Sequence, residues 1–227
     1  MNDFSPAKPR RALVAGASGL IGGFLLAELL ERPEFGQIYS LVRRPSGHSS
    51  PKLVELEADF GQLDQLALPE LDDAFVALGT TIKNAGSQEA FRRVDFDAIV
   101  ATARRARAAG AERLIVVSSI GADPASSNFY LKVKGETEAA LGNLGFAELH
   151  LLRPSMLYGP RKENRPAEKV GIALTRAFAP LLFGPLAQYK PIHAQTVARA
   201  MVGCALASHP GRHVHTYRDL LRLATAT

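Results

Sequence analysis

The sequence predicts an α/β fold, a doubly wound parallel sheet with a small C-terminal helical cap. Three observations predict it. A short apolar run, Ala12–Ala15, leads into glycines at a spacing of three, Gly16, Gly19 and Gly22, and an apolar helical pattern starts directly behind them. Apolar runs and helical patterns then alternate along the chain, the order that builds βαβ units. The apolar runs are near-continuous rather than alternating, as in strands covered on both faces.

Each element has its own signal. Leu13–Ala15 forms strand one, and the helix behind it spans Leu20–Glu31, stopped before Pro33. Glycine in the turn reaches dihedrals closed to other residues, and without side chains the backbone can approach a ligand. The N–H groups and dipole of a helix start attract phosphate. Gly16, Ser18, Gly19, Leu20, Ile21 and Gly22 therefore form a dinucleotide-binding loop, in the strand–turn–helix context that supports one. Strand two, Ile38–Val42, ends in Arg43 and Arg44. An acid at that place would bond the ribose 2′-hydroxyl of NAD. Two guanidinium groups match a 2′-phosphate instead, which favours NADP.

Strand three, Leu53–Leu56, precedes Asp59 and Phe60, a carboxylate and a ring placed to meet adenine. Strand four, Asp73–Leu78, stops at Gly79. A long helix is expected over Gln88–Ala109; its seam of Phe91, Val94, Ala98, Ile99 and Thr102 either covers the sheet or pairs two subunits. The cluster Arg104, Arg105 and Arg107 on this helix is expected to be a solvated face. Strand five, Arg113–Val117, ends in Ser118 and Ser119, a helix carries Tyr130–Leu144, and strand six is Glu148–Leu152. Beyond Pro154 the alternation fades. Ser155–Thr227 is expected to form the substrate-side cap of one domain spanning residues 1–227, with helices over Glu168–Phe178 and Thr196–Ala207. In such sheets ligands bind at the carboxyl ends of the strands, at the switch point. The glycine loop, Arg43, Gly79, Ser119 and the residues after Arg153 all fall at strand carboxyl ends.

Composition narrows the function classes. The chain has 227 residues, is 47% hydrophobic and 22% charged, and carries 27 Lys and Arg against 22 Asp and Glu, a net charge of +5. That mild excess suits an anionic cofactor. Basic residues are not interleaved with aromatics and Trp is absent, so no nucleic-acid partner is expected. The single Cys204 leaves no intrachain disulfide and no zinc site built from cysteines. His213 and His215 alternate on one strand face, but without a third ligand nearby in sequence no metal site is assigned. The polar start and the interruption of Ala177–Ala187 by Pro180 and Pro185 give an expectation of no membrane span and a cytoplasmic location. The segment Gly159–Pro166 is expected to be a solvated loop.

The chemistry rests on Tyr130 and Lys134, whose spacing of four places both on one helix face. A free phenol titrates near pH 10. A neighbouring ammonium favours its anion, which suits Tyr130 to pass a proton to or from a substrate oxygen. Ser119, or failing that Ser118, can hydrogen-bond the reacting carbonyl.

These residues together resemble the short-chain dehydrogenase/reductase superfamily in its extended or atypical branch. Gly16–Gly22 is similar to that branch's glycine pattern, and Arg93-Val94-Asp95, Val117-Ser118-Ser119 and Leu152-Arg153-Pro154 to its later segments. The chain is most similar to the Tat-interacting-protein-like oxidoreductases, through Leu78-Gly79-Thr80-Thr81, Ser126-Ser127-Asn128-Phe129 and Tyr130-Leu131-Lys132-Val133-Lys134-Gly135-Glu136. The resemblance implies a Rossmann fold, NADP(H) and a reductase-type site. It adds Leu78, Gly79, Thr80, Ser118, Arg153 and Pro154 to the cofactor-binding residues, and it places Lys134 on the nicotinamide ribose. It supplies no substrate; the reading of Tyr130, Lys134 and Ser119 is hydride transfer between nicotinamide and an unidentified small carbonyl or alcohol, in a monomer or homodimer. Two alternatives stand beside it: an NADPH-binding regulatory module that engages protein partners without turnover, and a nucleotide-sugar epimerase or dehydratase.

Overall fold

The computed structural model describes residues 8–160 and 184–226. Seven strands form one parallel sheet: β1 (Arg10–Ala15), β2 (Phe35–Val42), β3 (Leu53–Glu57), β4 (Asp73–Val76), β5 (Arg113–Val117), β6 (Glu148–Leu152) and β9 (Gly211–His215). Their order across the sheet is β3-β2-β1-β4-β5-β6-β9, with every neighbouring pair parallel. The order reverses between β1 and β4, so the switch point lies there. Two short strands, β7 (Leu157–Tyr158) and β8 (Ile192–His193), pair separately.

Helices cover both faces. On one lie α1 (Leu20–Glu31), α6 (Ala194–Leu206) and α7 (Tyr217–Thr225), which seal a core including Val14, Leu25, Phe75 and Met201. On the other lie α4 (Ile99–Ala108) and α5 (Phe129–Gly142), packed over Leu13, Val76, Leu114 and Leu151. With helices on both faces, β4 and β6 are buried along their whole length and β1 from Ala12 to Ala15, the reason their apolar runs do not alternate.

The expected elements match to within a few residues, with three differences. The long helix over Gln88–Ala109 is segmented: α3 (Gln88–Arg92), a π-helical stretch (Arg93–Ala98), then α4, with the short α2 (Ile82–Ala85) before it. Phe91, Ala98, Ile99 and Thr102 are buried, so that seam covers the sheet. The arginines of α4 are not merely solvated. Arg105 donates to Leu66 O, Arg107 donates to Gly145 O at 2.9 Å, and Arg104 lies 3.4 Å from Asp64, so all three tether loops. Finally, part of the segment expected to form a cap belongs to the main sheet: α6 packs on α1, and β9 extends the sheet beyond β6. The expected helix Glu168–Phe178 and most of the loop Gly159–Pro166 lie outside the described residues.

Arg113 ties three strands near their amino ends. It bonds Asp73 on β4 at 2.6 Å and Glu148 on β6 at 2.8 Å. Its guanidinium holds the Glu148 carboxyl down at about 2. Burial raises Asp73 despite its two arginine partners, Arg10 and Arg113.

Candidate functional site

The glycine loop is built by close approach. Gly16 has φ +96°, and a Cβ there would sit 2.7 Å from the carbonyl of Ala77, the residue after β4. A Cβ on Gly22 would lie 1.9 Å from Gly16 O, and one on Gly19 would lie 3.2 Å from the same atom. Gly19 N–H donates to Gly16 O at 2.9 Å and caps α1 without a side chain. The first-turn N–H groups of Leu20, Ile21 and Gly22 therefore have no helical carbonyl to bond. The Ile21 side chain is in the core, which leaves only its backbone for a ligand. A turn with no room for a Cβ at Gly16 or Gly22, presenting free N–H groups, fits a pyrophosphate.

The loop opens on a crevice of about 1430 Å³ at the switch point. Gly16, Ser18 and Gly19 line it, with Leu78, Gly79 and Thr80 facing them from the end of β4. Arg43 and Arg44 line it from β2. Both are exposed, and neither is ion-paired to a described residue. Asp59 and Phe60 complete that wall, Asp59 accepting from Gly61 N–H at 2.8 Å in an Asx turn.

Ser119, Tyr130 and Lys134 are not part of this wall, but Gly79 joins the two regions. A Cβ on Gly79 would come within 3.5 Å of Asp95 Oδ1 and 3.9 Å of Lys134 Nζ. Lys134 is 5% exposed and pairs with the fully buried Asp95, Nζ to Oδ1 2.7 Å. Asp95 Oδ2 also accepts from Thr80 N–H at 2.9 Å. One carboxylate thus fixes both the ammonium and the loop after β4. Tyr130, one turn before Lys134, is half-buried against Phe91, with ring centroids 5.5 Å apart. Its hydroxyl has no hydrogen-bond partner among the described residues.

The two serines divide. Ser118 Oγ donates to Glu138 Oε1 at 2.5 Å, and the same carboxylate holds Arg153 in a fork at 2.9 and 2.6 Å. That fork raises the Arg153 guanidinium above its usual range. Ser118 and Arg153 are therefore committed to the protein interior, and the structure does not bring their side chains to the crevice. Pro154 O accepts from Ile120 N–H at 3.0 Å. Among the described residues Ser119 Oγ has a single 3.3 Å contact, to Ile120 O.

A family model described as NAD(P)H-binding matches residues 16–206. Protein HTATIP2 of Rattus norvegicus is 35% identical over 198 residues, covering 85% of this chain and 80% of that protein. The chain belongs to this NAD(P)H-binding family, among the atypical short-chain dehydrogenase/reductases. Further members are the fmp52 protein of Aspergillus clavatus, 34% identical over 86% of this chain and 87% of its own, and FMP52 of Saccharomyces cerevisiae, 35% identical over 67% and 68%. Solved structures share the fold. MoeE5 with UDP-glucose and NAD superposes at TM-score 0.67 with 20% identity, covering 95% of this chain and 81% of MoeE5. Human epimerase family protein SDR39U1 with NADPH does so at 0.62 with 17% identity, covering 91% and 74%.

The relatives correct one expectation. The fungal proteins are named mitochondrial, which overturns the cytoplasmic location drawn from the polar start of the chain. A polar start of this kind says nothing of the mitochondrion. Among the described residues no helix is long and apolar enough to cross a membrane.

Within the candidate site, sequence reasoning missed Asp95 and Glu138. Both had a signal. Glu138 follows Tyr130 and Lys134 at the same spacing of four, and Asp95 lies on the buried seam of Phe91, Ala98 and Thr102, where an acid needs a partner. The π-helical stretch carried no such sign, although a π turn of this kind often marks a functional site. It turns Asp95 inward toward Lys134 while Arg93, Phe96 and Asp97 line the crevice.

Proposed function

We propose that this protein is an NADP(H)-dependent oxidoreductase that moves hydride between the nicotinamide and a small carbonyl or alcohol. The observation that carries the cofactor choice is the exposed pair Arg43 and Arg44 at the end of β2, on the wall of the crevice, with no acid at the strand end and no ion pair to a described residue. Guanidinium forks there suit a 2′-phosphate. The bound nicotinamide supplies or accepts the hydride. In the reducing direction Tyr130 gives its phenolic proton to the substrate oxygen as the carbon gains hydride, and Ser119 donates a hydrogen bond to that oxygen. Lys134, held by Asp95, orients the ribose and sets the field at Tyr130.

The test is titration of the full chain with NADPH and NADH, followed by a panel of carbonyl compounds. NADPH binds more tightly than NADH, and Arg43→Ala with Arg44→Ala removes that preference. Each charge-assisted contact is worth about 1.5–3 kcal/mol, so NADPH affinity falls about ten- to a hundredfold per arginine while NADH is barely affected. Tyr130→Phe abolishes turnover and leaves NADPH affinity intact. Equal affinity for both cofactors in the parent protein overturns the NADP assignment. Tight NADPH binding with no turnover on any carbonyl compound favours the regulatory alternative.

A further inference from the structure

At the far edge of the sheet from the crevice, the fold gathers histidines distant in sequence. His150 on β6 and His213 on β9 are paired in register, and His215 follows on the same face of β9. The His150 and His215 rings lie 16° from parallel with His150 Nδ1 2.9 Å from His215 Nε2. Cys204 reaches them from α6. One donor atom each from His150, His215 and Cys204 lie within 4.8 Å of one another.

We propose that His150, His215 and Cys204 form a binding site for a zinc-like divalent cation that clips β6, β9 and α6 together. The donor set is the first support, since imidazole nitrogen and thiolate sulfur are the ligands zinc prefers. Distance is the second. Zn–N lengths of about 2.0 Å and a Zn–S length of about 2.3 Å set tetrahedral N···N and N···S separations of about 3.3 and 3.6 Å. The imidazoles need to part by a few tenths of an ångström, and the thiol needs to close by no more than about 1.2 Å.

The third support lies behind His150, whose side chain is 1% exposed. Its Nε2 is buried with no hydrogen-bond partner among the described residues, and it faces Glu148 Oε2 at 3.6 Å. A small movement makes that contact a hydrogen bond, which puts the proton on Nε2 and frees the Nδ1 lone pair for a metal. A carboxylate that orients a histidine in this way is the usual second shell of a zinc ligand. His215 is half-buried on the sheet edge, which gives the ion an entry path and leaves the fourth position to water.

The experiment adds zinc chloride alone to untagged, chelator-treated full chain and measures uptake by calorimetry and elemental analysis. One zinc binds per chain, and cobalt(II) in its place gives a thiolate charge-transfer band. Cys204→Ser removes the band and His215→Gln weakens uptake at least about tenfold, while His209→Gln, altering an exposed histidine outside the set, changes neither. Because Cys204 is wholly buried, Cys204→Ala is run beside Cys204→Ser, and circular dichroism confirms that each variant is folded. Absence of stoichiometric uptake overturns the proposal. So does uptake that survives in Cys204→Ala and His215→Gln, or a cobalt complex without the thiolate band.

Discussion

The position that decides the candidate site's electrostatics is Asp95. It is fully buried, and among the described residues its carboxylate meets the Lys134 ammonium at 2.7 Å and the Thr80 N–H at 2.9 Å. Each partner compensates the other's removal from water. Breaking such a pair on one side leaves an uncompensated buried charge, at a cost of about 3–5 kcal/mol, whereas neutralising both partners with groups of similar shape costs far less. Asp95→Asn is expected to lower unfolding free energy by about that amount, and Asp95→Asn with Lys134→Met to recover most of it. Urea unfolding of the single and double variants checks this; additive losses would show that the pair is not coupled. Tyr130 and Lys134 were legible in the sequence because a helix repeats every four residues or so. The ion pair was not, because it joins residues 39 apart, and only the packing of the π-helical stretch on α5 brings them together.

Among the elements, α1, β5 and β6 were legible to the residue, whereas β1 was read three residues short, because its first residues, Arg10 and Arg11, carry no apolar signal. β9 was not legible. Its sequence, Gly-Arg-His-Val-His, is polar, and its residues are exposed or half-buried, since it has a neighbour on one side only. An edge strand carries little hydrophobic signal to read. The turn between β1 and α1 shows how local that signal is. A Cβ at Gly22 would collide with Gly16 O at 1.9 Å, while one at Gly23 meets only Ala17 O at 3.6 Å, an ordinary contact. Gly22→Ala forces the cradle apart, with an expected loss of about 1–3 kcal/mol and of cofactor binding. Gly23→Ala, one residue on in the same helix and exposed, gains helix propensity and is expected to stabilise by about 0.5–1 kcal/mol. Thermal melts and NADPH titration of the two variants side by side test the contrast. A Gly22→Ala protein that binds normally would remove the cradle's role.

Across the whole molecule, the parallel order β3-β2-β1-β4-β5-β6-β9 sets the crevice at the reversal between β1 and β4, bounded by elements from both halves of the sheet. The alternation of elements made the fold class legible. The strand order was not, because a sequence does not state which strands are neighbours. A ligand seated at that reversal touches β1, β2 and β4 and the π-helical stretch together, so it binds the folded chain and not the unfolded one. Mass action then ties occupancy to global stability. A ligand at a hundred times its dissociation constant adds about 2.7 kcal/mol. For a domain of this size each kcal/mol moves the melting temperature about 2–4 °C. NADPH at that excess is therefore expected to raise the melting temperature by about 5–11 °C, and NADH at the same concentration by less. Arg43→Ala with Arg44→Ala should bring the two shifts together by shrinking the NADPH response alone. A thermal melt in NADPH that coincides with the melt in buffer would show that the crevice does not take the cofactor, whatever the fate of any carbonyl substrate.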